Sequence, residues 1–328
     1  MTQTNANTIA TESKPAHHLY LDLGNSEVKF SFGSGVNAIR SLYVSLDSPI
    51  VGSIVSPCIS FGKHNYLVGR NALNTGKPIQ EFAEASNKLQ NLFIGLFSCL
   101  APAYSGYRWQ LTLTLLLPFG TAKATQESFR KQLTSKVWQY THNGIDASVE
   151  VTEVYFVNEG VGSYNYAIAN QQITRDELVL VLDIGGQTAI ARQMCDGTEL
   201  WSAVFANTGA VQLASRIASA AQAKVGTMVN VYEAIDAMAN GSLKVRDVSI
   251  EAEYKKERKA WFSAMLQQVS YQMKNVGLRP SNRILLTGGS ALLLADEVKD
   301  SAKYIICYNP VHANLLGVAP DFTKGEAK

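Results

Sequence analysis

LYLDLGNSEVKF (19–30) and LVLVLDIGGQTAIA (178–191) are one device written twice. Each is an apolar run, then an aspartate (Asp22, Asp183), then a glycine turn with small amide or hydroxyl residues, then a second apolar run. Apolar runs on both sides of a Gly/Asn/Ser turn predict a β-hairpin. A glycine after the strand lets backbone N–H groups face an anion without a Cβ in the way. A carboxylate at a buried strand end needs a partner, because a bare buried charge is costly. A single DxGG-type hairpin is weak. Two in one chain predict two halves that converge on one charged ligand.

The residues around each aspartate suit a metal–phosphate group. Gly24, Asn25 and Ser26 can donate to phosphate oxygens, and Lys29 leaves the returning strand as a point charge. Gly185, Gly186, Gln187 and Thr188 repeat the turn with two glycines and a hydroxyl. A hydrated Mg²⁺ between Asp22 and Asp183 would be the missing partner, since Mg²⁺ keeps several waters while binding substrate phosphates. Val157-Asn158-Glu159-Gly160 ends a strand and opens a helix, which places the Glu159 carboxylate toward the cleft between the halves. There it could orient the water that attacks a γ-phosphate. Thr287-Gly288-Gly289-Ser290 joins a strand to a helix, and its glycines permit close approach of a flat group.

Outward from these motifs, short strands are expected within 36–46 and 50–60, broken by Pro49 and Pro57, and a short strand entering a helix at 65–73. Residues 81–100 read as a helix buried by its aliphatic content, and 111–118 as a buried strand stopped by Pro118. Phe129, Leu133, Val137 and Tyr140 lie at helical spacing within 122–140. A strand at 149–157 and a helix at 160–172 follow. The second half restarts with strands at 178–184 and 188–194, then a helix at 210–224 with Thr208 as its cap. A short helix covers 231–239. Residues 251–276 form the longest helix, with Tyr254, Trp261, Phe262, Met265, Leu266, Val269, Met273 and Val276 in one stripe opposite the charges of 255–259, and Gly277 as its stop. A strand at 283–289, a helix from Ser290, a last strand at 304–310 and a short helix at 311–318 complete an α/β chain with mixed sheets.

Composition excludes several classes. The 328 residues are 46% hydrophobic and 17% charged, as in a globular protein of two domains or one bilobed unit. A net charge of +2 is too mild to argue for direct nucleic-acid binding. The four cysteines are scattered and the five histidines show no metal spacing, so neither a zinc site nor a disulfide framework is expected. The polar residues 1–16 lack an apolar core and read as a flexible tail, and the stretch at 92–100 is too short to span a bilayer. No GxxxxGK[ST], GxGxxG or GxSxG sequence is present.

The order DLGNS…K, VNEG, LDIGGQT, LLTGGSA resembles the actin/chaperone/sugar-kinase ATPase superfamily, over most of residues 18–320. These stretches look like its phosphate-1, connect-1, phosphate-2 and adenosine segments. YLVGRNAL (66–73), LLLPFG (115–120), NEGVGSYNYA (158–167) and NPVHANLLG (309–317) make it most similar to bacterial actin-like plasmid-segregation proteins of the ParM/StbA type. The resemblance implies a bilobed actin-like fold of two duplicated ribonuclease-H-like domains around a nucleotide cleft: lobe I over 17–174, lobe II over 175–328, with about 305–320 packing back on lobe I. It implies ATP or GTP with Mg²⁺ held through water by Asp22 and Asp183. Gly24, Asn25, Ser26, Lys29, Gly185, Gly186, Gln187 and Thr188 would hold phosphates, and Gly288, Gly289 and Ser290 would border the adenosine. Glu159 would position the hydrolytic water, and Gly209 would let the 210–224 helix approach the nucleotide.

The function so implied is an ATPase that polymerises head-to-tail and segregates plasmid DNA from the cytoplasm through a small DNA-binding adaptor at a centromere-like site, without touching nucleic acid or membrane itself. A small-molecule kinase on the same fold is the alternative, and it would need a base for the substrate hydroxyl. The eight residues after Pro320 leave no room for a chaperone's peptide-binding domain, and Cys58, Cys99, Cys195 and Cys307 are too dispersed for an iron–sulfur activator.

Overall fold

The computed structural model describes residues 16–24, 26–82, 88–117 and 122–319, with the backbone alone for 88–90. Residues 1–15 of the proposed tail, Asn25 and Pro118 lie outside the described residues. The first sheet is built from β1 (His17–Leu23), β2 (Glu27–Ser31), β3 (Asn37–Arg40), β4 (Leu42–Leu46), β5 (Cys58–Phe61), β6 (His64–Val68), β7 (Gln80–Glu81), β8 (Tyr107–Leu117), β9 (Trp138–His142) and β10 (Ile145–Asn158). Its order is β3-β2-β1-β8-β10-β9-β5-β6-β4-β7. Helices α1 (Lys88–Cys99) and α2 (Lys123–Leu133) belong to this half, and α3 (Val161–Ala169) leaves it.

The second sheet uses β11 (Val179–Ile184), β12 (Thr188–Cys195) and β13 (Thr198–Ala206), with β14 (Lys244–Val245) and β15 (Val248–Ser249) forming a separate ribbon. β16 (Arg283–Thr287) and β17 (Tyr304–Ile306) complete it, in the order β13-β12-β11-β16-β17. Around it run α4 (Ala210–Val225), α5 (Val231–Ala239), α6 (Glu251–Asn275), α7 (Ala295–Val298) and α8 (Ala313–Leu316).

The duplication is topological as well as sequential. In both halves an antiparallel three-strand meander (β1-β2-β3, β11-β12-β13) is extended on its first strand by two parallel strands (β8 and β10, β16 and β17). Asp22 and Asp183 each occupy the penultimate position of that first strand. Each half has its own apolar core. One is centred on Leu21, Phe97 and Leu113, the other on Leu182, Ile217 and Trp261. A third cluster, with Tyr164, Val181 and Leu285, packs α3 onto the second sheet although α3 follows a strand of the first. Tyr20 and Leu116 meet Leu315 and Ala319, so the α8 segment also lies against β1.

Several local expectations change. The helix expected over 81–100 is helical from Lys88, with Gln80–Glu81 in a strand and 83–87 outside the described residues. The helical spacing over 122–140 stops at Leu133. Thr134 Oγ1 and Ser135 Oγ donate back to Arg130 O and Gln132 O, and Tyr140 lies in β9. The Asn143-Gly144 turn then joins β9 to β10 with both residues at positive φ, the backbone that a two-residue hairpin requires. Residues 50–57 hold no strand. β13 is an additional strand. Thr208 does not cap α4: its Oγ1 accepts from Ala189 N and donates to Phe205 O, inside the sheet. On α6 the Arg258 side chain turns inward to Glu297 instead of joining the charged face, and Val276 is exposed.

Candidate functional site

The carboxyl ends of β1, β8 and β10 face those of β11 and β16 across one cleft of about 1250 Å³. Open α/β sheets place ligands at this end of their strands. Asp22, Gly24, Ser26, Lys29 and Glu159 line it from the first half, and Asp183, Gly185, Gly186, Gln187, Thr188, Gly288, Gly289 and Ser290 from the second. Asn25 lies outside the described residues. Gly209 does not line the cleft. It sits beneath the second turn, where Ala210 N and Val211 N donate to Gly185 O and Gly186 O. The first N–H groups of α4 therefore hold the turn in place, and Ala210 and Val211 line the cleft beside it.

The two hairpin turns come within touching distance: a Cβ on Gly186 would lie 2.7 Å from Ser26 Oγ. Gly288 sits at φ +83°, where a side chain is strained, and a Cβ there would meet Asp183 Oδ1 at 2.4 Å. Ser290 Oγ donates to Gly185 O at 2.8 Å, tying the Gly-Gly turn to the second hairpin.

The electrostatics centre on Lys29 and the buried acids around it. Lys29 Nζ is 3.7 Å from Asp22 Oδ2, opposite it in the β1–β2 register. Burial pushes the Asp22 carboxyl up, against the pull of Lys29. Burial also raises Asp183, while Lys29 and the Asn314 amide pull it down. Glu159 follows the end of β10, its N–H held by Leu117 O at 3.0 Å. Burial first, then the Asp22 and Asp183 charges, raise its carboxyl to about 8. Desolvation works against the Lys29 ammonium, but Asp22, Asp183, Glu27 and Glu159 together hold it above its usual value. Four acidic groups, Asp22, Glu27, Glu159 and Asp183, thus face Lys29, and the Arg192 charge also pulls Glu159 and Asp183 down.

Three contributors escape the sequence motifs. Asn314 Nδ2 donates to Asp183 Oδ2 at 2.5 Å, and its Oδ1 accepts from Gly160 N at 2.7 Å and from Ser163 Oγ at 3.1 Å. Arg192, fully buried on β12, donates to Glu159 O and to Glu199 at 2.5 Å, so it fixes the backbone that carries Glu159. Glu81 of β7 accepts from Gln187 Nε2 at 3.0 Å across the cleft. Asn314 stands in the quoted 309–317 stretch. Arg192 is the lone charge of β12, a legible oddity. Nothing local distinguishes Glu81.

With the geometry in place, comparison sets the class. The fold is the actin-like bilobed fold. The archaeal actin homolog Ta0583 superposes with a TM-score of 0.75 at 16% identity, over 92% of this chain and 98% of that one. The apo psk41 ParM protein gives 0.65 at 17%, over 95% and 97%. A 15-stranded ParM filament from Clostridium botulinum gives 0.70 at 15%, over 95% and 99%. No curated protein matches the sequence. Residues 21–162 match the family described as actin like proteins N terminal domain. The first half thus matches an actin-like N-terminal domain, and the second half repeats its topology within an actin-like fold.

Proposed function

We propose that this protein is a nucleotide-dependent, filament-forming ATPase. The observation that carries the reading is that Asp22 and Asp183, the tips of the two duplicated hairpins, line one cleft together with Lys29 and Glu159. Such a site fits a triphosphate gripped from both sides. The surplus of buried carboxylates and their all-oxygen donor set suit Mg²⁺, and Asp22 and Asp183 would hold it through water. Among the described residues no cluster of three or more His, Cys, Asp or Glu side chains forms a dedicated metal cage, which agrees with an ion held largely by water and phosphate. When bound, the ion neutralises charge developing on the phosphoryl oxygens.

The chain's own residues do the rest. Lys29 places an ammonium beside the first turn, and the glycine turns at Gly24 and Gly186-Gln187 bring backbone close to the phosphates. Glu159 orients a water for in-line attack, with Arg192 and Leu117 holding its backbone. Closure on the nucleotide brings the two halves into the shape that adds to a polymer end, and hydrolysis loosens it. The finer reading is segregation of plasmid DNA through a separate DNA-binding adaptor. A net charge of +2 supports a chain that does not grip DNA itself. Among the described residues no helix is long and apolar enough to cross a membrane.

The test is negative-stain microscopy with light scattering, using ATP, ADP and a hydrolysis-resistant analogue. Filaments with ATP that vanish as phosphate appears, and persist with the analogue, are the expected result. Tight nucleotide binding without any polymer at high protein concentration would refute the reading.

A further inference from the structure

One carboxylate of the first half is held by two donors of the second. Glu81 Oε2 accepts from Gln187 Nε2 at 3.0 Å, and Glu81 Oε1 accepts from the Tyr232 hydroxyl at 3.5 Å. All three residues line the cleft. Tyr232 is 57% exposed and Gln187 is exposed, so these bonds lie at the rim of the cleft and not in its floor. The chain crosses between the halves at α3, where Arg192 donates to Glu159 O and Asn314 Oδ1 accepts from Gly160 N. Glu81 ties the halves together a second time, on the side open to solvent.

Each of the three side chains stands on a fixed mount. β7 pairs with β4, with Glu81 opposite Leu42. Next to it, Phe82 is buried edge-on against Tyr43, with ring centroids 5.2 Å apart. Asn91 of α1 donates to Phe82 O at 3.0 Å and accepts from the Tyr43 hydroxyl at 2.8 Å. Across the cleft, Gln187 O accepts from Thr208 N and Gly209 N, both at 3.2 Å. Asn230 caps α5 by accepting from Tyr232 N at 2.9 Å, and Glu233 completes the capping box. With both ends anchored in this way, the two bonds break when the halves part, not by local fraying.

We propose that Glu81 is a clasp across the cleft rim that sets how fast nucleotide exchanges, an inference that rests on the nucleotide-binding reading above. A ligand gripped between two hairpin turns cannot leave until the halves separate, and separation breaks both Glu81 bonds together. Opening steps of this kind limit turnover in many enzymes. Glu81 meets the phosphate-side groups only through Gln187, so it is a positioning residue. Water competes for both bonds at the rim, so the clasp slows opening without locking the cleft.

The test follows release of fluorescently labelled ADP from the full chain by stopped flow, with excess unlabelled ADP as the chase. Glu81→Ala should release it about fivefold faster, the upper range for an exposed charged contact. Gln187→Ala should also speed release. The double variant Glu81→Ala/Gln187→Ala should be no faster than Glu81→Ala, because the single change already removes the shared bond. Glu81→Lys should be fast alone and return toward the wild-type rate when combined with Gln187→Glu, a rescue that a purely structural role in β7 does not give. Wild-type release from Glu81→Ala, or factors that multiply in the double variant, would overturn the proposal. Amide hydrogen exchange over 183–188 in the nucleotide-free protein is the second readout, and Glu81→Ala should exchange faster there. A wild type that binds no labelled ADP refutes the nucleotide reading. The clasp between the halves is then upheld by faster amide exchange in the variant and refuted by unchanged exchange.

Discussion

Replacing Asn314 by alanine should weaken both the fold and the proposed nucleotide site, and the size of the effect follows from its partners. The amide donates to the buried Asp183 carboxylate at 2.5 Å, and its oxygen accepts from the Gly160 N–H at the head of α3. A hydrogen bond to a charged group contributes about 1.5–3 kcal/mol, and an orphaned buried N–H costs about 1 kcal/mol or more. The expected loss is therefore about 3 kcal/mol. With unfolding entropy near 2.1 cal/mol/K per residue, a chain of 328 residues changes stability by roughly 0.7 kcal/mol per degree near its midpoint. The melting temperature of the nucleotide-free protein should then fall by about 4 °C. The Asp183 carboxyl, already raised by burial, would lose one of the groups that pull it down. Its ionised form would be scarcer, and Mg²⁺-nucleotide affinity should drop about tenfold, since about 1.4 kcal/mol is a factor of ten.

Asn314→Asp separates charge from shape. It places a second carboxyl against Asp183, so the pair must share a proton. The folded state then binds more protons than the unfolded chain, and this variant should gain stability as pH falls from 7 toward 5. Differential scanning calorimetry across pH, with nucleotide titration at pH 7, reads both effects. An alanine variant with a melting temperature within a degree of wild type and unchanged nucleotide affinity would refute the assignment of Asn314 as the group that holds Asp183.

Glu159→Gln keeps the size of the side chain and removes its ionisable carboxyl; it should preserve nucleotide binding and slow hydrolysis by about 10²-fold or more, and phosphate release at the wild-type rate would remove Glu159 from its role. Gly288→Ala should weaken nucleotide binding and lower stability, because the new methyl meets Asp183 Oδ1 and a backbone at φ +83°; overpacking of this kind typically costs about 1–3 kcal/mol, and an unaltered melting curve would contradict it. His142 is buried with its Nε2 near Ser98 O, and burial lowers its pKa. A lowered histidine pKa means the unfolded chain binds the extra proton, so this contribution to stability is complete above about pH 6.5 and is lost as pH falls below it. His142→Gln should flatten the acid slope of stability measured by denaturant titration between pH 7 and 5, and an unchanged slope would assign that slope to other groups.

How much was legible depended on the range of the interactions. The paired hairpins, the buried strand at 111–117 and the long helix from Glu251 show in the sequence, because strand and helix periodicity are local and these segments are long. The turn over 134–137 was not. Leu133, Val137 and Tyr140 keep helical spacing, yet the backbone is claimed by the Asn143-Gly144 hairpin, a turn signal present in the chain but outweighed there by the apolar spacing. β13 and the inward Arg258 were missed for a related reason: one is decided by pairing with β12, the other by Glu297 on a distant element.

The chain by itself determined that two aspartate-tipped hairpins would form, because a strand, a glycine turn and a returning strand are specified within fourteen residues. Only the tertiary structure decided that Asp22 and Asp183 share a cleft, that Asn314 holds Asp183 from 131 positions away, and that the N-terminus of α4 braces the second turn. The physical reason is loop closure. Contacts between residues far apart in the chain follow from how both cores pack around α3 and α8, and no local propensity encodes where those two helices meet.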